Sequence, residues 1–133
     1  MGKKVVIVTA SIVALLAAGY LFVLSAGKPI GSDVSIVGQG KPAIVLAYEN
    51  YSPAGGEALS SLREVRDNYD SRLDFVVADM GTPQGRDFAS RHQLIDGVAV
   101  FLDQSGKPLQ VTRIPPQEDQ LNQLLESMLD EVE

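Results

Sequence analysis

Ser52 and His92 are the only pairing in the chain from which nucleophilic catalysis could be assembled, since His92 is its sole histidine. A serine hydroxyl attacks when a neighbouring base takes its proton, but no motif links these two residues. The stretch Ser52-Pro53-Ala54-Gly55-Gly56 offers a second chemistry: a helix starting there presents free backbone N–H groups that can receive an anion. A hydrolase or transferase using Ser52, or the Ser52 to Gly56 cradle, is the enzymatic reading. No lysine or arginine flanks the cradle to complete a phosphate site. Asp74, Asp79, Asp87, Asp96 and Asp103 supply oxygen donors, yet their spacing matches no calcium loop, so no metal is expected. There is no cysteine. Disulfides, thiol redox chemistry and thiolate metal sites are excluded together, and no cofactor is expected.

Structural roles account for the same residues more simply. Serine leads the preference for helix N-caps, and Pro53 suits the first helical position. His92 falls at a helix end, where the macrodipole favours the charged imidazole. Tyr48 is expected in the core and Tyr51 at the surface, where a flat aromatic ring is open to a partner peptide.

The elements that position these residues read clearly. Ile44, Val45, Leu46 and Ala47 form a continuous apolar run, as in a parallel strand covered on both faces. After Ser52 a helix places Ala58, Leu59, Leu62, Val65 and Tyr69 on one side and is expected to run to about Asp70. Leu73 to Ala78 is a second buried strand. Thr82 and Pro83 open a shorter helix through Phe88, Ala89 and His92, in which Gly85 should cost about 1 kcal/mol relative to alanine. Val98 to Leu102 is a third strand, Asp103 to Gly106 a turn, and Leu109 to Ile114 an alternating return strand. A final helix carries Leu121, Leu124, Leu125, Met128, Leu129 and Val132 on one stripe. The order β-α-β-α-β-β-α predicts an α/β fold with a mixed sheet, in which strands joined by helices run parallel and the hairpin adds an antiparallel edge.

The N-terminal portion is different. Val5 to Leu24 is an uncharged run of twenty residues, which as a helix spans the roughly 30 Å hydrocarbon core of a bilayer. A cleaved signal peptide has a shorter apolar core, so residues 1–25 are read as a retained transmembrane signal-anchor. Lys3 and Lys4 precede it and orient the N-terminus inside. Residues 26–41, rich in glycine, serine, proline and lysine, are read as a tether with a short edge strand at 33–37. Residues 42–133 form the folded domain. The net charge of the chain is −6, and about −8 without Lys3 and Lys4, which makes nucleic acid a poor partner.

The domain resembles the thioredoxin-like superfamily. Gly40-Lys41-Pro42-Ala43-Ile44-Val45-Leu46-Ala47-Tyr48 looks like the family's first core strand, and Gly97 to Pro108 looks like its strand-turn-strand hairpin. The similarity covers roughly residues 33 to 133. The family's Cys-x-x-Cys pair would fall on Pro53 to Gly56, or one residue earlier, and neither frame holds a thiol. Ala47 stands where a buried acid often assists the thiols, and no proline lies between Gly97 and Ala99, where the cis-proline is expected. The resemblance therefore implies the fold without thiol–disulfide oxidoreductase activity. It implies a non-catalytic binding or assembly module, which the apolar run and the lysines before it would anchor in the cytoplasmic membrane with its domain on the periplasmic or extracellular side. An envelope protein or extended peptide would dock on the vacated face at Tyr51, Ser52, Pro53, Ala54, Gly55, Gly56, Asp96 and Gly97. A structural accessory subunit of a membrane complex is the other non-enzymatic reading.

Overall fold

The computed structural model describes residues 2–25 and 29–133, with side chains for all of these except 4 and 19–25. Helix α1 spans Gly2–Ser25, and a 3₁₀ turn follows at Val34–Ile36. The domain then runs β1 (Ala43–Tyr48), α2 (Pro53–Val65), a 3₁₀ turn at Arg66–Asn68, β2 (Asp74–Asp79), α3 (Pro83–Arg91), β3 (Val98–Leu102), β4 (Pro108–Arg113) and α4 (Glu118–Val132).

The four strands form one mixed sheet in the order β2-β1-β3-β4. β1 is central, and that explains its unbroken apolar sequence. Its residues point alternately to two cores. Ile44 and Leu46 join Phe75, Val77, Ala99 and Phe101 under α2 and α4. Ala43, Val45 and Ala47 join Val76, Ala78, Val98 and Val100 under Phe88 and Ala89 of α3. Leu46, Leu62, Leu121 and Leu125 are almost completely buried, and truncating any of them to alanine should cost about 2–5 kcal/mol.

One expectation about strand direction fails. β1 and β2 are parallel, pairing Ala43 with Asp74 and Tyr48 with Asp79, but β1 and β3 are antiparallel, pairing Ala43 with Leu102 and Leu46 with Ala99. α3 joins β2 to β3 through a connection long enough for either strand direction. The loop after it carries the chain back to the carboxyl end of β1, where the Gly97 N–H donates to the Ala47 carbonyl at 3.0 Å. β3 starts at that end and must run the other way.

The expected edge strand at 33–37 is also absent. Asp33 instead caps the Val34–Ile36 turn by accepting from the Ser35 N–H. Strand-like pairing occurs just before it, where Gly31 bridges Val76 in parallel and accepts from the Val77 N–H at 2.9 Å. Ile30 is buried beside it.

α1 confirms a helical backbone across the apolar N-terminal run. Its side chains from Val5 to Leu16 are half exposed or more at the large apolar positions, and none joins either core. Among the described residues no helix is long and apolar enough to cross a membrane. The last six residues of the expected span, 19–24, lie outside the residues with described side chains, as the first part of the tether, 26–28, lies outside the described residues.

Candidate functional site

The turn between β1 and α2 sits at the carboxyl end of the central strand. Ser52 takes the N-cap position with extended backbone angles, and Pro53 opens the helix. The serine hydroxyl, however, makes no capping bond. Asp96 supplies the cap from across the chain. One carboxylate oxygen, Oδ2, accepts from the Gly55 N–H at 2.9 Å, and Oδ1 accepts from the Glu49 N–H at 2.7 Å. The expected capping role of Ser52 thus passes to a residue of the β3 approach loop. The anion cradle expected at Ser52 to Gly56 is filled by the protein's own carboxylate.

The glycines of the turn divide by what surrounds them. A Cβ on Gly55 would collide with the Asp96 carboxylate, whereas a Cβ on Gly56 would meet nothing. Gly97 has φ +82° and lies against Ala54, 3.1 Å from where its own Cβ would stand. Only glycine adopts that backbone without strain, so the Asp96–Gly97 loop is fitted to the first turn of α2.

The expected site residues do gather in one place. Tyr51 projects at 97% exposure, Pro53, Ala54 and Gly56 are exposed, Ser52 and Asp96 are half-buried, and Gly55 and Gly97 are buried. Beside them a cleft of about 150 Å³ is bounded by Ala54, Glu57, Ala58, Ser61, Gly97, Arg113, Ile114 and Pro116. Arg113, Ile114 and Pro116 were not legible as neighbours of the turn, because the end of β4 reaches it only through the sheet. Tyr48 packs against the α2 and α4 core, as expected.

His92 is not brought to Ser52. Ser52 precedes α2 on one face of the sheet, and His92 closes α3 on the other. Its ring packs on Phe88, with centroids 4.4 Å apart. The macrodipole argument is overturned as well: partial burial, and then the Arg91 guanidinium, hold the imidazole below its ordinary value of 6.5. Desolvation outweighs the helix end here. No group of three or more histidines and carboxylates is arranged to hold a metal among the described residues.

Solved structures match this architecture. The germline-specific thioredoxin Deadhead of Drosophila melanogaster aligns over 68% of this chain and 83% of its own, with a TM-score of 0.56 and 15% identity. The fold is thioredoxin-like. A thioredoxin-like protein from Clostridium perfringens aligns over 77% of this chain and 82% of its own, with a TM-score of 0.61 and 16% identity. No family model matches the sequence. No curated protein matches it either. At these identities the likeness extends to the thioredoxin-like fold and stops there, and in this chain that fold contains no cysteine.

Proposed function

We propose that this chain is a membrane-anchored, non-catalytic thioredoxin-like module that docks an extended peptide or envelope protein at its vacated turn, on the outer side of the cytoplasmic membrane. The observation that carries this reading is the state of the turn. It has no thiol, its helix N-terminus is occupied by Asp96, and it still presents a fully exposed Tyr51 beside a cleft. A tyrosine offers an apolar ring and a polar hydroxyl together, which suits it to contact with a partner peptide. The anchor is supported by the unbroken apolar sequence Val5 to Leu24, by the helical backbone beneath it, and by exposed apolar side chains that no core accepts. Lys3 and Lys4 set the orientation.

A photo-crosslinking residue at Tyr51, with Glu64 on the distal part of α2 as control, tests the docking face in living cells. Capture of a defined envelope partner from position 51 and not from 64 is the expected result. Equal capture from both sites overturns the docking reading. Alkaline carbonate extraction tests the anchor separately: the chain stays with the membrane pellet, and its release into the supernatant would reject the anchor.

A further inference from the structure

We infer that the outer edge of β4 is a second docking surface, one that accepts an extended acidic segment of another polypeptide as an added strand. β4 ends the sheet and is the one strand that neither helical layer covers: five of its six residues are exposed. α3 lies over β2, and α2 and α4 lie over the opposite face of the inner strands. Leu109 and Val111 remain 38% and 52% exposed. Alternate N–H and C=O groups of an edge strand face outward and can pair with an incoming chain.

Charge selects the occupant. The chain carries −6 overall, yet from Gln104 to Gln117 it has two cations, Lys107 and Arg113, and no acid. The cations bracket the strand, and neither is held in a salt bridge among the described residues. The nearest acid in sequence, Asp103, accepts from the Ser105 N–H, the Ser105 hydroxyl and the Lys107 N–H and also feels the Lys107 charge, so Arg113 is the cation of the pair lying farther from any acid in sequence. A second copy of β4 is a poor fit. Lys107 and Arg113 are equidistant from Gln110, so antiparallel self-pairing centred there sets like charges opposite each other. Pro108 and a register irregularity between Phe101 and Leu102 further guard the edge. The same guards attract a strand that ends in carboxylates.

The experiment titrates the full chain, in detergent micelles, with labelled synthetic peptides of alternating valine and threonine carrying either glutamates or lysines at both ends. The acidic peptide should bind at least about tenfold more tightly. N-methylation of its alternate amides should abolish binding, since strand addition needs those N–H groups. Combined Lys107→Glu and Arg113→Glu should invert the preference, a result that an unfolded variant cannot give. Tyr51→Ala should leave the affinity unchanged, and loss there would place the peptide at the turn and defeat the inference. Equal affinity for both peptides, binding that survives N-methylation, or dimerisation of the chain through β4 would each overturn it too.

Discussion

The Asp96 carboxylate grips the Gly55 N–H at 2.9 Å across 41 positions of sequence. With its second bond to Glu49, it ties both sides of the β1–α2 turn to the loop that starts β3. The geometry of the β1–α2 turn is therefore set from outside the turn.

Asp96→Ala should destabilise the domain by about 2 kcal/mol, because a helix cap and a charge-assisted bond to a second backbone donor are lost together. Ser52→Ala should stay within about 0.5 kcal/mol, since its hydroxyl caps nothing. Urea denaturation of both variants checks the order. A larger loss at Ser52 would return the cap to the serine.

Three glycine-to-alanine substitutions should separate by sign. Gly56→Ala places its methyl in open space within a helix and should stabilise by about 1 kcal/mol. Gly55→Ala drives a methyl into the Asp96 carboxylate and should cost about 2 kcal/mol by breaking the cap. Gly85→Ala meets the backbone carbonyl of Asp79, which cannot swing aside, and should cost about 3 kcal/mol. Thermal melts of the three variants decide the matter.

His92 should make the domain less stable as the pH falls. Its folded-state value lies below the ordinary 6.5, so the unfolded chain binds the proton first, and stability present above 6.5 is lost on the way down to the folded value. Compared with His92→Gln, the wild-type protein should lose stability as the pH falls through 6.5 towards the lower folded-state value. The opposite slope would show the imidazolium held by the carbonyls at the end of α3.

Tyr69→Phe should cost about 1 kcal/mol. Its hydroxyl donates to Asn122 Oδ1 at 3.0 Å and lies 3.3 Å from the Asn122 carbonyl, joining the end of the α2 segment to α4. Denaturant midpoints report the loss, and Asn122→Ala combined with it should add little, because the two residues share the bond.

Local signals made most of the fold legible. The run Ile44 to Ala47 announces a strand buried on both faces, and Thr82 caps α3 by accepting from the Gly85 N–H, as its type and place suggest. Gly106 takes the positive φ that the hairpin turn requires. What escaped depends on distant partners. Gly85 reads as a weak helical residue until the Asp79 carbonyl appears beside it, and there the missing side chain is what allows α3 to approach β2. Asp96 precedes a glycine and so looks like an ordinary turn residue; nothing local tells that its carboxylate ends another helix. The reversal of β3 was hidden for a related reason. The length of α3 could be estimated, but the return of the following loop to the carboxyl end of β1 is a tertiary contact.

The segment at Gly31 lies alongside β2 and runs in its direction, held there by the Gly31 carbonyl bond and the burial of Ile30, and further along by the packing of Val34 and Val37 and the Gly40 bond to Gln104. Tension arriving from residue 29 therefore loads this slender seam before it reaches β1, which is locked between two neighbours. Peeling residues 30–41 away would release up to about 40 Å of slack at roughly 3.3–3.6 Å per residue. It would also uncover the second core at Val34 and Val37 and break the Gly40 N–H bond to the Gln104 carbonyl, so this stretch acts as a hinged flap whose lifting exposes the α3 face of the sheet.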